Sequence, residues 1–337
     1  MNNKTAQPNL SGVTAGSNSK IPVSMFLNAV RHAPRGCRLA IARRLLPSLS
    51  EATPPSRAEI CEFNSPNEYL KNYRQLATIL GRDEKTPPPG EIEFLHAMLH
   101  RPAQRPGTIG WSDYFFLTAF VSILAPQRVL EIGTLTGFSA AVIAAALSRQ
   151  HGNDSATWVD TIDVRPQCLI DDTRPTGFEI PELIPNLTSM VRLHIPHDSA
   201  FVSELAKREE LQIVFIDADH RHPRPLLDLL RLSPYVCPDG WISLHDIQLG
   251  TIGEKMRASG EPTPWGAPYG GEWLFDSWPW RKISGGNIGA VQLPNDKSAL
   301  IPFALRLMSM PFEINGKNGK ATVRARRALY QSFSELI

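Results

Sequence analysis

One stretch constrains this chain more than any other: RVLEIGTLTGFS, residues 128–139. Val129, Leu130 and Ile132 predict a short buried strand, Gly133 and Gly137 a tight turn, and the alanine-rich residues 140–146 a helix. A strand that feeds a glycine turn and then a helix is how an α/β fold opens a nucleotide pocket. The spacing narrows the ligand. A dinucleotide fold wants G-x-G-x-x-G, so that backbone can approach a pyrophosphate. Here the pattern is E-x-G-x-x-x-G, with Leu135 where a middle glycine would stand. Glu131 precedes the turn by two residues and suits a cationic ligand without a pyrophosphate.

The rest of the core alternates. Helical patterns fall at 112–124, 137–149, 201–207 and 225–232, and strand patterns at 129–132, 158–163, 191–195, 212–217 and 241–245, with a last strand at 288–293. Such alternation implies right-handed crossovers and a parallel sheet covered on both faces, an α/β fold. Ligands bind beyond the carboxyl ends of strands in an open sheet of this kind. Asp163 stands at one such end, 26 residues after Gly137, where a carboxylate can accept both hydroxyls of a ribose. Other strand ends carry Pro196-His197-Asp198-Ser199, Asp217-Ala218-Asp219-His220 and His245-Asp246, and His194 and His222 crowd the same edge. Ser139, in the first turn of the helix after the glycines, offers hydroxyl and backbone donors to a carboxylate.

Length and composition bound the reading. The 337 residues suffice for one large domain with additions, and 42% hydrophobic with 20% charged residues is ordinary for a globular protein. A formal net charge of +2 argues for no particular partner. Four cysteines without a C-x-x-C pair read as free thiols in a reducing compartment. The longest apolar run, residues 114–126, is too short to span a bilayer. Seven Lys/Arg and no acid occur in the first fifty residues. Residues 1–20 read as a disordered tail. The acid-poor start also resembles an organelle transit peptide, so the expected location is the cytoplasm with organelle targeting left open. Residues 21–106 read as a helical N-terminal extension, 107–300 as the ligand-binding domain, and 301–337 as a basic, partly helical tail. The basic segments 31–44 and 324–327 lack interleaved aromatics, which argues against nucleic acid as a partner. The segment 248–280, rich in Gly, Pro and Trp (Trp265, Trp273, Trp278, Trp280), reads as a long lid or binding loop whose aromatics either stack on a ligand or pack the insertion onto the core.

The glycine segment resembles motif I of the class I S-adenosylmethionine (SAM) methyltransferases. Its wording, L-E-I-G-T-x-T-G-F-S, is most similar to the methyltransferase 24 and catechol/caffeoyl-CoA O-methyltransferase group. The resemblance implies a doubly wound, mostly parallel, seven-stranded Rossmann-like sheet with residues 288–293 as an antiparallel closing strand. It further implies SAM bound by Glu131, Gly133, Thr134, Gly137, Ser139, Asp163, Asp198, Ser199 and Asp217. Metal-dependent members place Asp, Asp and Asn on one Mg²⁺. The matching set here is Asp217, His245 and Asp246, where the imidazole makes other divalent cations as plausible as Mg²⁺. His220 stands where catechol-type members carry a lysine base, so His220 or His245, with Asp217, is the expected catalytic set. The implied activity is O-methylation of a small-molecule acceptor, metal-assisted or not, in a chain that a homodimer would suit. An inactive SAM-binding scaffold, an NAD-linked oxidoreductase and a nucleic-acid methyltransferase are the alternatives.

Overall fold

The computed structural model describes residues 53–82, 85–100, 108–152, 156–263, 269–308, 310, 312 and 320–333. The expected tail at 1–20, the first part of the helical extension expected at 21–106 (residues 21–52) and Trp265 lie outside the described residues. Residues 53–336 form one compact unit.

Chain order is as follows. Strand β1 (Glu59–Ile60) precedes helices α1 (Tyr69–Ile79), α2 (Glu91–Leu99) and α3 (Trp111–Leu124). Then come β2 (Arg128–Ile132), α4 (Phe138–His151), β3 (Trp158–Ile162) and a hairpin of β4 (Gln167–Cys168) and β5 (Asp171–Pro175). Helix α5 (Glu179–Leu183), β6 (Val191–His194), α6 (Val202–Leu205), β7 (Leu211–Ile216), α7 (Arg224–Leu232) and β8 (Val236–His245) follow. The chain continues through α8 (Leu249–Ala258), α9 (Gly270–Ser277), β9 (Lys282–Ser284), β10 (Ile288–Gln292), α10 (Leu300–Met308) and α11 (Lys320–Phe333).

Eight strands form one sheet in the order β1-β9-β10-β8-β7-β2-β3-β6. Strands β8, β7, β2, β3 and β6 are mutually parallel. β10 runs antiparallel to both β8 and β9. The expected parallel core and antiparallel closing strand are therefore present. The sheet is wider than seven because β9 and the two-residue β1 extend its far edge, β1 running parallel to β9. Neither carries the apolar run that marks a buried strand in sequence.

The central strand β7, LQIVFI, is a near-continuous apolar run, as a strand covered on both faces must be. Helices α3 and α4 supply one cover. α3 is buried on every side from Asp113 to Ile123, and α4 from Phe138 to Leu147. Five alanines in α4 (Ala140, Ala141, Ala144, Ala145, Ala146) keep that helix thin where it packs in the core. Helices α1 and α2 belong to the same core, through Tyr69, Tyr73, Leu76 and Leu95. The boundary expected near residue 107 thus runs through a single packed body. No helix among the described residues is long and apolar enough to cross a membrane.

Strand order reverses between β2 and β7: β3 and β6 lie to one side of β2, β7 and β8 to the other. The crevice at such a switch point is where open α/β sheets hold ligands.

Candidate active site

The glycine turn is built by close approach. Gly133 has φ of 102°, and a Cβ there would lie 2.0 Å from the backbone oxygen of Asp217, at the end of the neighbouring strand β7. Gly137 has φ of 87° and would meet Ile180 at 2.5 Å. Only glycine allows the backbone to pass here. The loop is tied down by Asp163, whose Oδ2 accepts from the amides of Thr134 and Leu135, both at 3.1 Å. Its Oδ1 accepts from the Arg165 amide at 2.9 Å. Asp163 lines the crevice as expected, but its first task is to shape the turn.

Glu131 behaves otherwise than its spacing implied. It is fully buried beneath the turn and accepts from the Thr161 hydroxyl, which in turn contacts Thr134 Oγ1. Burial pushes its carboxyl up to about 8, against hydrogen bonding from Ser139 and Thr161. A neutral, buried acid of this kind does not meet a cationic ligand. Ser139 itself reaches the cavity wall.

That cavity is one continuous space of about 1040 Å³. Gly133, Thr134 and Ser139 line it on the β2 side, Asp163 and His197 beyond β3, and Asp217, His220, His245 and Asp246 on the β7–β8 side. Asp198 and Ser199 also face it but are already engaged. Asp198 Oδ2 accepts from Arg231 Nη1 at 2.9 Å and its Oδ1 from the Ala200 amide, while Ser199 donates to Asp228 at 2.5 Å. Burial of Asp198 is outweighed by Arg231 and the Ala200 amide, which hold its carboxyl below the usual range.

Of the five histidines expected at this edge, three reach the cavity. His197 stacks on Phe201 with ring centroids 3.8 Å apart. His194 is bound to Asp160 at 2.7 Å. His222 is buried against the Leu307 carbonyl, and burial lowers its pKa to about 4. His194 and His222 are structural.

His245 is clamped. Its Nδ1 lies 3.1 Å from Asp217 Oδ1 and its Nε2 lies 3.3 Å from Asp113 Oδ2. Burial would lower its pKa, but Asp217, Asp246 and Asp113 outweigh that and raise it well above the usual value. Likewise, burial would raise the Asp217 carboxyl, yet His245 and His220 hold it low. Flanked by two carboxylates, which only accept, His245 donates from both ring nitrogens, and both are bonded. It offers no lone pair to a cation. Among the described residues no group of three His, Cys, Asp or Glu is arranged to hold a metal ion. The ligand set expected at Asp217, His245 and Asp246 does not fit a cation in this arrangement, and a protonated His245 cannot serve as a base either.

A second pair stands beside it. His220 Nε2 lies 3.0 Å from Asp246 Oδ2, and Asn287 Nδ2 donates to Asp246 Oδ1 at 2.7 Å. Asp246 sits at φ of 57°, a left-handed conformation that aspartate tolerates and that aims its carboxylate back across the strand end. Asp113, from α3, and Asn287, just before β10, complete the site. Sequence gave no signal for either, since each is a lone polar residue far from any motif.

The segment after β8 is two helices, α8 and α9, rather than one open loop. Its three described tryptophans pack onto the body: Trp278 is fully buried and meets Trp280 and Phe303 edge-on, and Trp273 meets His222. Leu249, Ile252 and Tyr269 are what this segment presents to the cavity.

Residues 130–247 match a family model described as a methyltransferase domain. The chain resembles the class I SAM-dependent methyltransferases. The matched span runs from the second half of β2 to the residues just past His245, and so encloses the glycine turn and both strand-end clusters. No curated protein matches the chain in sequence. Among solved structures, the chain is similar to the O-methyltransferase TomG from Streptomyces achromogenes in complex with SAM, at 14% identity over 66% of this chain and 98% of that one, TM-score 0.39. It is similar to an O-methyltransferase from Bacillus cereus in complex with SAH (S-adenosylhomocysteine), at 19% identity over 68% and 100%, TM-score 0.37. A third is the SAH-bound methyltransferase PaMTH1 from Podospora anserina, at 15% identity over 63% and 81%, TM-score 0.36.

Proposed function

We propose that the protein is a SAM-dependent methyltransferase acting on a hydroxyl of a small molecule. The observation that carries this reading is the single cavity joining the glycine turn at Gly133 to the His220–Asp246 pair at the ends of β7 and β8. Its volume of about 1040 Å³ suits a nucleoside-sized cofactor together with a small acceptor. The residues on the turn side fit SAM: a backbone without side chains at Gly133, the hydroxyl of Ser139 at a helix start, and a carboxylate at Asp163 beside the strand end. When bound, SAM supplies a methyl group on a sulfonium, an electrophile that needs no further activation.

What remains for the chain is to place the acceptor and take its proton. Holding the acceptor hydroxyl in line converts a two-body encounter into a local one, and that supplies much of the rate. Leu249, Ile252 and Tyr269 give the acceptor an apolar wall. His220 is the base. Asp246, fixed by Asn287, holds the proton on His220 Nε2, which leaves the lone pair on Nδ1 for the acceptor hydroxyl. His245, locked between two carboxylates, stiffens the floor of the site.

The test is methyl-labelled SAM offered with catechol, phenol and simple primary alcohols, with label followed into the organic product. SAH binding is measured in parallel by calorimetry. Transfer to a hydroxyl supports the reading. No heat with SAH and no transferred label would end it.

A further inference from the structure

We propose that Asp113 is a ligand-binding residue whose Oδ1 accepts a hydrogen bond from a hydroxyl or ammonium group on the molecule that fills the cavity. The inference rests on the methyltransferase reading only for the identity of that molecule.

Asp113 lies in the first turn of α3, ahead of the segment 130–247 that matches the family model. Its side chain is only 8% exposed, yet it forms part of the cavity wall. The two carboxylate oxygens have different fates. Oδ2 is engaged by His245 Nε2 at 3.3 Å. Oδ1 is buried and has no hydrogen-bond partner among the described residues. A buried acceptor left unpaired is costly and rare in folded proteins, and at a cavity wall a ligand is the partner it lacks.

The surroundings choose the kind of partner. Asp113 and Asp217 flank His245, and Asp246 Oδ1 lies 3.6 Å from the same ring. Three carboxylates around one imidazole leave an excess of negative charge whether or not the ring carries a second proton. A donor is favoured there, and a group that only accepts, such as a carboxylate, is repelled. Two donors meet this description in a filled site: the ammonium of the cofactor's amino-acid tail and the hydroxyl of the acceptor.

The experiment compares wild type with Asp113→Asn by calorimetry, using SAH, 5′-methylthioadenosine (which lacks the amino-acid tail), and catechol titrated into the SAH complex. If the ammonium is the partner, the variant binds SAH roughly tenfold more weakly and 5′-methylthioadenosine as well as wild type does. If the acceptor is the partner, both nucleosides bind unchanged and catechol binds roughly tenfold more weakly. All three affinities within twofold of wild type overturn the proposal. Wild-type binding of SAH reports separately on the methyltransferase reading, because it does not involve the substitution. Should Asp113→Asn not melt cooperatively, a crystal of the wild-type protein with SAH and catechol decides. A ligand nitrogen or oxygen within about 3.2 Å of Oδ1 supports the proposal, and none within that reach overturns it.

Discussion

At the scale of single residues, the site divides its acids by burial. Glu131 and Asp217 stand at the ends of adjacent strands, and the same low-dielectric interior acts on both. Glu131 finds only hydroxyls, and burial wins: its carboxyl rises to about 8. Asp217 finds the imidazoles of His245 and His220, which outweigh burial and hold its carboxyl low. The consequence for stability has a definite sign. Glu131 titrates higher in the folded chain than its ordinary 4.5, so the folded state keeps a proton that the unfolded state releases between about pH 4.5 and 8. Its contribution is fully present below about 4.5 and is lost as pH rises through 8. Glu131→Gln mimics the protonated acid. We expect its Tm to fall less than that of wild type between pH 5 and 8, with the largest gap at the alkaline end, measured by thermal melts across that range. His245 also titrates high when folded, so wild-type stability continues to decline as pH rises further. For the chemistry, His220→Ala should lower kcat by about 10²- to 10⁴-fold, the usual worth of a positioned base. SAH affinity by calorimetry should stay near wild type. An equal loss in both would place His220 on the cofactor instead.

At the scale of elements, the glycine turn makes the sharpest prediction. Gly133→Ala drives a Cβ to 2.0 Å from the Asp217 carbonyl oxygen, a backbone atom that cannot move without breaking the β2–β7 junction. Gly152 and Gly260 also have positive φ, but nothing lies within 4 Å of a Cβ at either. Urea unfolding should therefore show alanine at 260 costing about 1 kcal/mol from backbone strain alone, and alanine at 133 costing more than about 2 kcal/mol and abolishing SAH binding. The turn, strands β2, β3, β6, β7, β8 and β10, and helices α3, α4 and α7 were legible because each repeats a local pattern: an apolar run, a glycine pair, or apolar residues at helical spacing. What escaped has no local pattern. β1 and β9 are two and three residues long, and only sheet pairing makes them strands. The β4–β5 hairpin is polar along most of its length. Asp113 and Asn287 reach the site from 104 and 70 residues away from Asp217 (217 − 113 and 287 − 217), and sequence carries no record of that meeting. The protonation of His245 was hidden for the same reason, since it needs Asp113 as well as Asp217.

At the scale of the whole molecule, the helices ahead of the glycine turn are part of the domain. Glu91 on α2 is completely buried, and burial raises its carboxyl. It accepts from Tyr69 Oη on α1 at 2.7 Å and from the hydroxyl of Ser122 on α3. Three helices are thus joined at one buried acid, and the aromatic rings of Tyr69 and Phe63 pack edge-on against Phe115 and Phe116 of α3. α3 in turn carries Asp113 into the cavity. A chain begun at residue 107 would keep every residue of the matched family segment. It would also leave the Phe115–Phe116 face of α3 in water, deprive Ser122 of Glu91 and strip β1 from the sheet edge. Exposing even three or four buried aromatic and leucine side chains costs about 1.5–3 kcal/mol each, which rivals the whole stability of an ordinary domain. We expect such a chain to lack a cooperative thermal transition and to bind a dye for exposed apolar surface. A chain begun at residue 53, which retains the entire compact unit, should melt in one step. A cooperative melt of the shorter chain, with SAH bound, would show that the helical segment is an accessory and that Asp113 holds its place without it.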